Sequence, residues 1–236
     1  MKYLIITLTI IGLSINNFCF GQKINTLTKK EQDEGWQLLF DGKSLNGWKG
    51  FNSESVGSAW SVKNGLLILD KSNKAIGGDI ETVEEFENFE FSIDWMIEKC
   101  GNSGIMFNVV DDGKHKNPWQ TGPEMQILDN TCHPDSKIKK HRAGNLYDLI
   151  ESKTESVKPH DQWNTAKISS NNGHLVFWLN DVKQLEVDMF TPEWWEMIQG
   201  SKFKEMPDFG KARKGRIDLQ DHDFVVSFRN IKIRKL

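Results

Sequence analysis

Between Phe89 and Ile97 the chain alternates Phe89, Phe91, Ile93, Trp95 and Ile97 with Glu90, Ser92, Asp94 and Met96. A strand buried on one face satisfies that two-residue apolar period, and a helix does not. No stretch sustains a long 3.6-residue repeat, which excludes a helical bundle. Short runs rich in β-branched and aromatic residues, bounded by Gly, Asn and Asp, recur at 36–40, 60–70, 79–83, 104–110, 124–128, 146–150, 163–169, 175–179, 216–220 and 224–234. Within 60–70, Asn64-Gly65 joins Ser61-Val62-Lys63 to the run from Leu66 to Leu69, a hairpin whose turn tolerates positive φ. One short helix is predicted at 193–199, with Thr191 as cap, Pro192 at its first position and Gly200 after its end. About a dozen strands predict an all-β fold, a single β-sandwich domain over 35–236 behind a lead-in at 22–34.

Residues 1–21 have the layout of a secretory signal peptide: Lys2, an apolar run from Leu4 to Leu13, then Cys19-Phe20-Gly21. The run is too short for a transmembrane anchor. Cys19 follows Asn17 and Phe18 rather than the small residues that precede a lipid-attachment cysteine. Cleavage after Gly21 and an exported protein, periplasmic or secreted, are therefore expected. The chain has 38% hydrophobic residues and 30 Lys+Arg against 33 Asp+Glu, a balance that argues against disorder and against nucleic-acid or anionic-lipid partners. Cys100 and Cys132 form no Cys-x-x-Cys pattern; export permits a bond between them, but sequence does not bring their Cα atoms together, and they read as two isolated thiols.

Of the nine tryptophans, Trp36, Trp48, Trp60, Trp95 and Trp163 lie in strand-like patterns and read as core. Trp119, Trp194 and Trp195 lie beside Pro118 and Pro192 and read as a rim on which a pyranose ring could stack. On a strand at 124–128, Glu124 and Gln126 share one face while Met125 and Ile127 share the other, and Asp129 falls opposite Glu124 unless a bulge intervenes. The pattern Glu-x-Gln-x-x-Asp resembles the Glu-x-Asp-x-x-Glu strand of laminarinase-type glycosidases, with an amide in place of the middle carboxylate. A retaining glycosidase needs two carboxyl groups about 5 Å apart, and with Gln126 between Glu124 and Asp129 this pattern lacks the adjacent pair. In Asp218-Leu219-Gln220-Asp221-His222-Asp223, Asp218, Gln220 and His222 share a face. An adjacent aspartate there could orient His222 and raise its basicity, as a general base or metal ligand requires. Asn145-Leu146-Tyr147-Asp148 adds a phenol and a carboxylate.

Eight ordered segments carry a resemblance: the run from Gly35 to Gly42, Gly101-Asn102-Ser103-Gly104-Ile105, the run from Thr121 to Asp129, Ala143-Gly144-Asn145-Leu146-Tyr147, Trp178-Leu179-Asn180, Ser201-Lys202-Phe203, Leu219-Gln220-Asp221-His222 and Phe228-Arg229-Asn230-Ile231. In this order they resemble the 3-keto-disaccharide hydrolase domain family, over residues 36–236. The resemblance implies a concanavalin A-like β-sandwich, a jelly roll, acting on 3-keto-glycosides. It carries Glu124, Gln126 and Asp129, Tyr147, Gln220, His222 and Arg229 over as matching positions. Two residues depart from the pattern: Asp223 and Asp181 stand where the family usually has Gly.

A C3 ketone acidifies the C2 hydrogen, so one base, one stabiliser of the enediolate and one acid for the leaving group suffice for elimination, with water adding afterwards. The expected base is His222 or Glu124, the stabiliser Arg229 or a bound divalent cation, and the acid Tyr147. Gln126, Asp129, Gln220, Arg229 and Trp119 are expected to bind substrate. No cofactor is otherwise called for. The alternatives are a non-catalytic carbohydrate-binding module on the Trp119, Trp194 and Trp195 platform, and an ordinary glycosidase using Glu124 and Asp129.

Overall fold

The computed structural model describes residues 23–236, so the expected signal at 1–21 lies outside the described residues. Thirteen strands follow in chain order: β1 Gln37–Leu38, β2 Trp48–Gly50, β3 Trp60–Lys63, β4 Leu66–Leu69, β5 Ile80–Thr82, β6 Phe89–Ile97, β7 Asn102–Val109, β8 Glu124–Leu128, β9 Asn164–Asn171, β10 His174–Leu179, β11 Val182–Asp188, β12 Arg216–Leu219 and β13 Val226–Lys235. They form two antiparallel sheets. One is ordered β11-β10-β9-β6-β13-β4-β3 with β1 also on β13, and the other β2-β5-β12-β7-β8. The expected all-β sandwich is the fold found.

The two sheets bury their apolar faces against each other. The alternate residues of β6 supply one wall, with Phe89, Phe91 and Ile93 fully buried, and Ile105, Phe107, Met125, Ile127, Ile217 and Leu219 supply the other. Edge-to-face contacts cross the core, from Phe89 to Phe107 at 6.5 Å between ring centroids and on from Phe107 to Phe177 at 5.9 Å. The hairpin forms as expected, with Asn64 at φ 53° and Gly65 at φ 78°, the left-handed pair that a tight turn requires.

Several expectations change. The helix α2 Pro192–Gln199 forms under its Thr191 cap, but a second, α1 Lys29–Asp33, precedes it, made possible by a Thr28/Glu31 capping box. Glu31 also pairs with Lys232, and Asn25 exchanges hydrogen bonds with Asn230 and donates to the Gly65 carbonyl, so the lead-in is fastened to the sandwich. The segment 146–150 is not a strand. Asp148 sits at φ 59°, and Leu149 and Ile150 both turn back to the Leu146 carbonyl. The sequence reading missed two strands, the three-residue β2 and the charged β11 at a sheet edge.

Cys100 and Cys132 are joined in a disulfide, with Cα atoms 5.0 Å apart. This corrects the reading of two isolated thiols. Both lie just past the same end of paired strands, where Asn102 of β7 faces Leu128 of β8, a proximity that only the sheet creates. Closing the loop between residues 32 apart is worth about 3.5 kcal/mol of denatured-state entropy.

Candidate active site

The register of the five-stranded sheet sets Glu81 opposite Asp218, Asp218 opposite Met106, and Met106 opposite Glu124. The next row, Ile80, Leu219, Ile105 and Met125, belongs to the core, so the first row is turned the other way. The free edge of β8 is occupied by the segment after His141: Gly144 N donates to Gln126 O, Gln126 N to Asn145 O, and Tyr147 N to Glu124 O at 3.0 Å. These bonds bring Tyr147 alongside Glu124.

A cavity of about 370 Å³ lies on this face. It brings together Glu124, Gln126, Tyr147, Gln220, His222 and Trp119, six of the residues singled out from the sequence. Asn102, Lys202, Phe203 and Met206 complete it, and the sequence reading gave none of these a role. Asn102 and Lys202 sit inside segments that carried the family resemblance, which was the available signal. Lys202 holds its ammonium 4.1 Å from the centre of the Tyr147 ring.

Among the described residues, Glu124 is the sole carboxylate lining the cavity. Its carboxyl lies over Gly104, where a Cβ would come 2.0 Å from Oε1, so only glycine leaves room for it. Burial first, and the nearby Asp79 and Asp135, push the Glu124 carboxyl up to about 8 against the opposing pull of Lys202. Gln126 donates to Asn102 Oδ1 at 3.0 Å, while the buried Oε1 atoms of Gln126 and Gln220 accept nothing. Burial, with contributions from Asp135, Glu124 and Asp148, raises Tyr147 well above the ordinary phenol range and keeps it a proton donor.

Behind Glu124 the remaining acids of the row are buried. Asp218 is fully buried with both carboxyl oxygens unpartnered, and burial followed by the charges of Asp79, Glu81 and Glu124 raises it strongly. Burial likewise pushes Asp79 up to about 7 and Glu81 up to about 8. Lys49 and Arg216 approach Glu81 at 3.2 and 3.3 Å, but burial first and then Asp111 beside it outweigh the pull of Lys49.

Other expected residues lie elsewhere. Asp129 is buried in the turn after β8, where its carboxylate accepts from Cys100 N, Thr131 N and Thr131 Oγ1; it braces the disulfide loop and does not reach the cavity. Arg229 lies on β13 in the other sheet, bonded to Asp94 at 3.2 Å and stacked 4.0 Å over Trp163. Trp194 is fully buried and donates to Gly210 O, and Trp195 packs near Phe190, so only Trp119 of the three stands at the cavity. Trp36 and Trp163 are half-buried under cations rather than in the core. His222 is exposed at the mouth beside Phe224 and His133. Its flanking aspartates do not orient it, since both Asp221 and Asp223 pair with Lys71. Among the described residues, Cys100, Asp129 and Cys132 are the one group close enough to share a cation, but the two sulfurs are bonded to each other and are not thiolate ligands.

Residues 35–234 match the profile of the 3-keto-alpha-glucoside-1,2-lyase-like domain. The chain belongs to this family. It is 31% identical to the 3-keto-disaccharide hydrolase of Bacteroides thetaiotaomicron, over 96% of this chain and 87% of that protein. A candidate glycosyl hydrolase from Parabacteroides distasonis has the same fold, with a TM-score of 0.84 at 32% identity over 91% of this chain and 100% of its own. A second from that organism gives 0.65 at 28% identity over 85% and 99%. Like its family, the chain is a glycoside-cleaving enzyme. The two departures from the family pattern have a shared backbone explanation: Asp223 and Asp181 adopt φ 69° and 63°, left-handed conformations that glycine takes freely and aspartate tolerates.

The buried acids make stability fall with alkalinity. Each proton is bound in the folded chain at a pH where the unfolded chain has released it, so the contribution is complete below about pH 4 and is lost as pH rises through about 7 to 8. Asp218→Asn should flatten the decline in unfolding free energy across that window by on the order of 1 kcal/mol per pH unit, measured by urea titration. An unchanged slope would show that Asp218 is ionised in the folded protein.

Proposed function

We propose that the protein cleaves 3-keto-glycosides by base-assisted elimination across C1 and C2, followed by hydration. The observation that carries this reading is the presence of one carboxylate, Glu124, in a cavity that also holds an ammonium and a phenol. Direct displacement at C1 uses two carboxyl groups, one on each side of the bond. Elimination needs one base, and a carboxyl pushed up to about 8 is a stronger base once ionised than an ordinary carboxylate. The family's description as a lyase at positions 1 and 2 supports the same route.

In this reading Glu124 removes the C2 proton, and the Lys202 ammonium, rather than the distant Arg229, holds the enediolate oxygen. Tyr147 gives its proton to the departing C1 oxygen. The free Oε1 atoms of Gln126 and Gln220 accept from sugar hydroxyls, Trp119 and Phe203 meet the apolar face of the ring, and His222 contacts the aglycone at the mouth. The volume suits a small-molecule site.

Incubation with a 3-keto-glucoside and its unoxidised parent, followed by product mass, should show turnover of the former alone. Activity should rise with pH through about 8, because the base works only when ionised. Glu124→Gln should lower kcat by on the order of 10²-fold or more and abolish that pH limb. Equal turnover of both substrates would contradict the proposal.

We also propose export, with cleavage after Gly21. The disulfide supports it, since such bonds persist outside the reducing cytosol. The secreted protein should begin near Gln22 on N-terminal sequencing, and a retained Met1 would refute cleavage.

A further inference from the structure

His141 is buried, yet neither the core nor the cavity wall explains it. Its Nε2 lies 2.9 Å from Asp148 Oδ1. Its Nδ1 has no hydrogen-bond partner, and the group facing it is Asp135 Oδ2 at 3.9 Å. That same Asp135 oxygen accepts from the Tyr147 hydroxyl at 3.4 Å, and the Tyr147 ring stacks on the imidazole at 4.2 Å between centroids. Asp148 uses its second oxygen to accept from Lys202 N at 2.9 Å, which ties the imidazole to the segment that brings Lys202 over the phenol. Tyr147, Asp135, His141 and Asp148 thus form a chain of proton-bearing groups leading away from the cavity, with Asp135 reaching solvent.

We propose that His141 and Asp135 are the proton relay behind Tyr147, an inference that rests on the elimination reading above. As C1–O breaks, the C2–H electron pair becomes the C1=C2 bond, and the C1–O pair leaves with the oxygen. Glu124 holds the C2 proton. The departing oxygen takes the phenolic proton, Tyr147 takes one from Asp135, and Asp135 takes the Nδ1 proton of His141 across the 3.9 Å that separates them. The Nε2 proton stays on the ring throughout, donated to Asp148 Oδ1, which fixes the imidazole. When water adds, its hydroxyl joins C1, Glu124 returns its proton to C2, and the released water proton runs back through Tyr147 and Asp135 to His141. The protein ends with the protons it began with. The relay removes the alternative, a bare phenolate surrounded by Asp135, Glu124 and Asp148.

The test compares two leaving groups in single-turnover measurements on the full chain. A 3-keto-glucoside of 4-nitrophenol releases an anion that needs no acid, whereas an alkyl 3-keto-glucoside needs one. Asp135→Asn and His141→Phe should each lose at least about tenfold more rate on the alkyl substrate than on the nitrophenyl one, as should Tyr147→Phe. Equal losses on both substrates, or no loss on either, would overturn the relay and leave His141 a structural residue. Asp135 is partly exposed, so its Asn variant carries the test even if His141→Phe does not fold. A wild-type protein that leaves both 3-keto substrates intact would instead sink the elimination reading, and the relay with it.

Discussion

The antiparallel pairing of β7 with β8 and β12 is the constraint on which the site depends. It places Asp218, Met106 and Glu124 in one row and turns that row away from the apolar core. Any shift by one residue would send Glu124 and Gln126 into the core and bring Met125 and Ile127 out, an exchange the buried aromatics of β6 oppose. The hydrophobic effect therefore fixes the position of the polar chemistry, because sandwich packing leaves one register that buries the apolar set.

That same row sets the electrostatics. Burial first, and then the nearby Asp79 and Asp135, make the Glu124 carboxyl give up its proton reluctantly, and the absence of a side chain at Gly104 leaves it space without a hydrogen-bonding cradle. The pairing of the 144–147 segment along β8 then supplies a phenol at a fixed position, and Asp148 joins that segment to Lys202. Three backbone attachments convert a sheet face into a cavity with one carboxylate, one phenol and one ammonium.

Much of the architecture was legible because local chemistry and global fold agree. The Asn64-Gly65 turn, the alternation of 89–97 and the Thr191-Pro192 helix start each have a local cause, and each forms. The shared face of Glu124 and Gln126 followed from strand period alone. What local rules could not reach was proximity between distant segments. Cys100 and Cys132 meet only because two strands pair, Lys202 enters from a loop with no strand pattern, and Arg229 is drawn to Asp94 on a neighbouring strand. His222 and its aspartates look like a catalytic group in sequence, but Lys71, far earlier in the chain, pairs with both carboxylates. Asp129 is withdrawn by backbone donors that a turn creates.

Whether the C2–H bond breaks during cleavage separates elimination from every direct displacement at C1. The most direct measurement is single-turnover cleavage of a 3-keto-glucoside carrying deuterium at C2, compared with its protium counterpart. Removal of that hydrogen by Glu124 predicts a primary isotope effect, with the deuterated substrate cleaved several-fold more slowly when chemistry limits the rate. Identical rates under those conditions would contradict it.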